Sequence, residues 1–220
     1  MRIYKYLHSC LVIEKAGKRL LIDPGDYAFA DKTLSPHELS GISAILITHS
    51  HSDHADPEAI KIVLQNNAHV VVYGDAGTQK TLAHTGIEVL RIEEGETAIE
   101  GFHVRTINAA HGQGVLSDPP SNIAFLIDGK FLDPGDSLDP ILHQFRGVEA
   151  LALPVVAPWD TRRNMAEFGA ALEPKVIFPI HDGFIKDFFE EKQNDAYRSF
   201  FEKKGIRYQA LGKGEYIDIP

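Results

Sequence analysis

Short apolar runs alternate with polar turns along most of the chain. In LVIEKAGKRLLID (residues 11–23) two apolar runs flank Ala16, Gly17 and Lys18, the pattern of a hairpin. Residues 42–48, ISAILIT, are apolar almost without interruption, which predicts a buried central strand. The chain then turns polar at HSHSDHAD. Asp56-Pro57-Glu58 reads as a helix start: an N-cap, a proline at the first helical position and an acid in the first turn. Ile60, Val63 and Leu64 give that helix its apolar face. HSHSDH therefore lies between the end of a buried strand and the start of a helix, where α/β sheets place function.

The same reading extends to the C-terminus. AHVVVYG predicts a strand and residues 78–84 a short helix. IEVLRI, FHVRTINAA, NIAFLID and KFLDPG predict successive strands, and VEALALPVV a further buried one. NMAEFGAALEP reads as a helix stopped before Pro174, and KVIFPIH as a strand ending at His181. KDFFEEKQNDAYRSFFEKKG predicts an aromatic-faced helix stopped by Gly205, with RYQAL and EYIDI as closing strands. The longest loop-like stretch is HGQGVLSDPPSN, residues 111–122. No low-complexity tract or Pro-, Gly- or Ser-rich linker divides the chain, so residues 1–220 read as a single α/β domain.

DPGD occurs twice, as Asp23-Pro24-Gly25-Asp26 and as Asp133-Pro134-Gly135-Asp136, each after a hairpin-like pair of runs. The echo suggests similar halves, roughly 1–110 and 111–220. An internal duplication and shared turn chemistry explain it equally well.

Charge and composition narrow the function. A net charge of −9 argues against general nucleic-acid binding, which leaves a basic footprint, but leaves room for a nucleotide as a small-molecule substrate, since bound cations could make a local positive site. The single cysteine, Cys10, excludes an intramolecular disulfide and a zinc site made mainly of cysteine. It reads as a small buried apolar residue. The N-terminal MRIYKYLHSC lacks the apolar core of a secretory signal, and no run approaches the roughly 20 apolar residues of a spanning helix. A cytoplasmic location is the expectation.

His49, His51, Asp53 and His54 fall within six residues. Imidazole and carboxylate suit zinc and similar divalent ions. In an extended loop His49, His51 and Asp53 share one face while His54 points elsewhere, which suits two neighbouring metals better than one. Four donors are too few for two ions. His111, Asp136 and His181 each follow an apolar run and complete the set. A lone histidine or aspartate at a strand end is usually a hydrogen-bonding loop residue; the cluster raises these three above that. His49, His51 and His111 then hold one metal, Asp53, His54 and His181 the other, and Asp136 bridges. Two divalent ions, two carboxylates and one hydroxide nearly balance in charge.

THSHSDH (residues 48–54) resembles the T-H-x-H-x-D-H signature of the metallo-β-lactamase-fold hydrolases. The order that follows is similar: His111, then Asp136 in GDS, then His181 in VIFPIHDG. The opening LHSCLVIEKAGKRLLIDPG and residues 174–181 resemble the small branch that includes ascorbate-phosphate lactonases and is related to N-acyl phosphatidylethanolamine phospholipases. The resemblance covers nearly the whole chain. It implies a four-layer αββα sandwich of two similar halves with a dinuclear site at one edge, and a His8 close to that site as a candidate substrate contact. VVAPWDTRRN and residues 111–122 depart from the branch pattern. Arg162, a second candidate substrate contact, and Arg163 could take a phosphate or carboxylate, whereas Trp159 reads as packing. Asp182 reads as an acceptor orienting a ligand histidine. His37, His69, His84, His103 and His143 have no partner pattern.

The leading expectation is a metal-dependent hydrolase that uses a metal-held hydroxide on a small ester-type substrate, a lactone or phosphodiester. Asp53 and Asp136 are its candidate catalytic carboxylates. Zinc is the expected metal, and manganese, iron or nickel fit the same donors. Two alternatives stay open: a non-heme iron redox relative of the same fold, and a metal-stabilised binding module without turnover.

Overall fold

A computed structural model of the protein describes residues 1–114 and 118–220. Its strands are β1 (Arg2–Lys5), β2 (Leu11–Lys15), β3 (Lys18–Ile22), β4 (Ala44–Leu46), β5 (Val71–Gly74), β6 (Val89–Arg91), β7 (Gly95–Ile99), β8 (Phe102–Asn108), β9 (Ile123–Ile127), β10 (Phe131–Asp133), β11 (Ala150–Pro154), β12 (Val176–Ile180), β13 (Arg207–Tyr208) and β14 (Tyr216–Asp218). The helices are α1 (Pro57–Asn66), α2 (Ala76–Leu82), α3 (Arg162–Ala171) and α4 (Asp187–Glu202).

Two sheets form, with strand orders β14-β1-β2-β3-β4-β5-β6 and β7-β8-β9-β10-β11-β12-β13. Read in those directions, each runs through three antiparallel pairings and then three parallel ones. The loop that carries His8, between β1 and β2, thus corresponds to the loop between β8 and β9 that holds His111, and the two DPGD turns lie at the ends of the corresponding strands β3 and β10. The division between sheets falls at residues 92–94, and β14 returns to the first sheet. The expected division near residue 110 falls inside the second sheet, because DPGD marks a position within each half and not its border.

Layering follows from where the apolar side chains go. Ile3, Leu11, Ile13, Leu20 and Ile22 of the first sheet meet Phe102, Phe125, Phe131 and Phe178 of the second in one core between the sheets. The outer face of the first sheet packs Val12, Leu21, Ile45 and Val72 with Ile60 and Val63 of α1 and Leu82 of α2. On the other side, Leu151, Leu153 and Ile177 meet Ala166 and Phe168 of α3 and Tyr197 and Phe201 of α4. The result is the αββα sandwich. Strands such as β9, β11 and β12 are buried along their whole length, which is why they read as continuous apolar runs.

The start of α1 follows the predicted capping chemistry. Asp56 accepts from the backbone N–H groups of Glu58 and Ala59, with Pro57 at the first helical position. Thr161 caps α3 by accepting from Asn164, so α3 starts earlier than its apolar pattern suggests. Strand β7 escapes a sequence reading because it is an exposed edge strand with a single buried residue, Ile99. Residues 111–122 carry no helix or strand among those described, and 115–117 lie outside the described residues. No helix among the described residues is long and apolar enough to cross a membrane.

Phe178 and Phe131 are fully buried and stack with centroids 5.9 Å apart in the core between the sheets. Phe178→Ala is expected to cost about 3–5 kcal/mol, read as a lower urea midpoint with an unchanged slope.

Candidate metal centre

Every candidate ligand lies just beyond the carboxyl end of a strand or in the loop that follows it. After β4 the chain runs through Ile47 and Thr48 into residues 49–54. That stretch is a tight turn and not an extended loop: the His51 carbonyl accepts from the backbone N–H of both His54 (3.1 Å) and Ala55 (2.8 Å). The turn carries Asp53 away from His49 and His51. Two groups of donor atoms result, each with all its atoms within 4.8 Å of one another: His49, His51, His111 and Asp136, and His8, Asp53, His54 and His181. Asp136 lies between them, with Oδ2 3.5 Å from His111 Nε2 and 3.1 Å from His181 Nε2, and Oδ1 3.3 Å from His54 Nε2.

The hydrogen bonds on the far side of each ring decide which nitrogen faces inward. His54 Nδ1–H donates to Asp23 Oδ2 at 2.7 Å, His181 Nδ1–H to the Val156 carbonyl at 2.6 Å, and His111 Nδ1–H to the Gly112 carbonyl at 2.6 Å. The Thr48 hydroxyl donates to Asp23 Oδ2 (2.6 Å), which leaves its oxygen to accept from His49 Nδ1–H at 3.0 Å. Each of these four rings therefore turns its Nε2 towards the cluster. His51 presents Nδ1, 3.1 Å from His49 Nε2. The inward atoms His54 Nε2, His111 Nε2 and Asp136 Oδ1 are buried and make no well-aligned hydrogen bond. Buried acceptors left facing one another are costly unless a cation lies between them, so this donor set fits divalent ions.

Electrostatics agree. Burial holds the His49 pKa well below the ordinary value, with the neighbouring His54 adding to it, and burial lowers that of His51. Both are neutral, as ligands must be. Burial works against charge at His54 and His181 too, but there Asp136 and a second carboxylate outweigh it: His54 is raised well above its ordinary value and His181 to about 10. At Asp53 and Asp136 burial is likewise outweighed by the flanking imidazoles, and both carboxyls are held well below the usual range. Without a cation, protonated His54 and His181 supply the positive charge. A metal must displace those protons.

His8 differs. Its Nδ1 accepts from the Gly183 backbone N–H at 3.1 Å, so its proton sits on Nε2 and donates to Asp53 Oδ2 at 3.2 Å. Burial lowers its pKa to about 4 against the pull of Asp53. The expected substrate contact at His8 meets a side chain with no exposed surface; it holds Asp53 instead. Arg162 hydrogen-bonds Gln193 of α4, in the groove between α3 and α4. Asp182 does not orient a histidine. It forms a buried ion pair with Lys5 of β1, which ties down the loop after His181.

The two DPGD turns use different acids. Asp23 is buried and accepts from Thr48 N–H (2.8 Å), Thr48 Oγ1 and His54 Nδ1, so the first copy orients the ligand loop. The second copy puts its last acid, Asp136, among the ligands. Their glycines are both close-approach positions. A Cβ on Gly25 would lie 1.8 Å from the Asp53 carbonyl oxygen, and one on Gly135, at φ +58°, 2.3 Å from Asn122 Oδ1. Trp159 also reaches the site, although it read as packing: its indole N–H donates to Asp136 Oδ2 at 3.1 Å. The neighbouring Gly112, whose Cβ would meet the indole at 2.0 Å, is the one sequence signal for it.

This fold and this donor set define the class of metallo-β-lactamase-fold, metal-dependent hydrolases. The chain belongs to the beta-lactamase superfamily, whose domain model matches residues 2–181. It is 30% identical to the Mycobacterium tuberculosis protein Rv0786c over 84% of this chain and 85% of that one. It is 23% identical to a UPF0173 metal-dependent hydrolase of Pyrococcus horikoshii, covering 79% and 81% of the two chains. The solved isothiocyanate hydrolase from Delia radicum gut bacteria superposes with a TM-score of 0.72 at 17% identity, over 100% of this chain and 99% of that one, a likeness of fold.

Asp136→Asn is expected to weaken metal uptake at least about tenfold, a lost charge-assisted contact. Asp26→Asn should leave uptake intact, and equal loss from both would reverse the roles given to the two turns. Gly25→Ala should lower metal content by displacing the Asp53 backbone. Because His54 and His181 hold protons when no cation is bound, metal affinity should rise with pH and loading should release protons, read in a weakly buffered titration.

Proposed function

We propose that the chain is a dinuclear hydrolase of a small ester-type substrate, a lactone or phosphodiester. His49, His51 and His111 would hold one divalent ion and Asp53, His54 and His181 the other, with Asp136 shared. What supports this reading above all is that five imidazoles each turn a ring nitrogen inward on one cluster. Two such ions would bring the pKa of a shared water towards neutrality and polarise the bond to be cleaved.

The chain's own residues divide the remaining work. Asp136, with its side chain 2% exposed, is closed to substrate and serves to hold the two groups together. Asp53, with its side chain 19% exposed, is the carboxylate open to the mouth and would orient the nucleophile through its free oxygen. His8, by donating to Asp53, fixes which way that carboxylate turns. Asp23 and Thr48 keep His54 and His49 in the tautomers that face inward. Zinc suits the mixture of imidazole and carboxylate, which manganese, iron and nickel also accept.

Purified protein loaded with zinc or manganese should contain about two ions per chain, measured by elemental analysis, and lose them in His51→Ala. The loaded protein should hydrolyse at least one of a lactone, a bis-aryl phosphodiester, a thioester or a β-lactam. Two bound ions with inactivity on all four would favour a binding module.

A further inference from the structure

Three aromatic rings stand round the mouth of the centre. Tyr27 lies in the turn after the first DPGD, and Phe184 shortly after His181. Their ring centroids are 5.8 Å apart, and both rings cover His8, at 5.2 and 5.8 Å. Phe184 meets His181 edge-on at 5.6 Å. Trp159 also borders His181, at 6.3 Å, and is 6.0 Å from His111.

Covering His8 accounts for one face of the Tyr27 and Phe184 rings, and yet these residues remain 41% and 45% exposed. Large apolar rings left open beside a buried polar centre are the make-up of a ligand site, with an apolar wall and a few placed polar groups. The third ring is placed by design of the backbone: the bare face of Gly112 receives the indole, and Asp136 holds its N–H.

We propose that Tyr27, Phe184 and Trp159 form an aromatic collar that binds a flat aromatic group next to the scissile bond. The substrate class is then aryl or aroyl esters and lactones. This rests on the hydrolase reading of the same site. Each edge-to-face or offset contact with a bound ring is worth about two- to tenfold in affinity.

Calorimetric titration of the zinc-loaded protein with benzoate and with acetate tests it, since the two share a carboxylate and differ in the ring. Wild type should bind benzoate about tenfold more tightly than acetate. Phe184→Ala and Tyr27→Ala, at exposed positions that should not disturb folding, should each cut that preference by at least about twofold. Phe188, 61% exposed on α4 and outside the collar, supplies the control: Phe188→Ala should keep the preference. Trp159 is the only tryptophan in the chain, so its emission should change with benzoate and not with acetate. Equal binding of the two anions to protein holding its metals would overturn the collar and leave the hydrolase reading standing. So would equal loss of preference in Phe188→Ala and Phe184→Ala. A protein that takes up no metal would overturn both.

Discussion

Seven histidine and aspartate side chains crowd their nitrogen and oxygen donors against one another, and the structure around them holds that unfavourable arrangement. Imidazoles and carboxylates packed this closely would turn away from one another if they were free to move. They are not free, because hydrogen bonds on the far side fix His49, His54, His111 and His181. Asp23 is central to this. One carboxylate accepts from Thr48 twice and from His54 once, and so sets the ligand turn and two rings together. The price of such a framework is rigidity, and the two sheets supply it from buried strands on either side of one core.

The repeated turn shows how one backbone solution can serve two chemical ends. Both copies follow corresponding strands, and both use glycine to let another segment approach closely. In the first copy the neighbouring segment is the ligand turn itself, so the DPGD loop braces it from behind. In the second it is Asn122 and Thr48, and the last aspartate is free to enter the cluster. The same asymmetry appears in the corresponding β1–β2 and β8–β9 loops. His111 turns a bare nitrogen inward, whereas His8 accepts from Gly183 and presents a proton to Asp53. A pseudo-symmetric scaffold thus carries an asymmetric site because partners outside the cluster choose the tautomer.

Much of this was legible before any coordinates. Clustered donors straight after a buried strand, Pro after Asp at a helix start, and isolated His and Asp residues at later strand ends all have local causes. Their signals survive in the residue order. The roles of His8, Asp182 and Trp159 were not legible. His8 depends on an N–H donated by Gly183, 175 residues away, and Asp182 on a lysine 177 residues away. No spacing rule reaches that far. Trp159 resembled packing because a single half-buried tryptophan looks the same in either role until its indole N–H is seen to meet a carboxylate.

The residue order by itself determined most of the strand and helix segments and the donor types, since periodicity and ligand chemistry are properties of short segments. Tertiary structure decided which ring nitrogen faces inward, which acid of each DPGD acts, and which aromatic rings reach the mouth. Those outcomes depend on hydrogen-bond partners and close backbone approaches between segments distant in the chain, and such contacts exist only once the two sheets have packed.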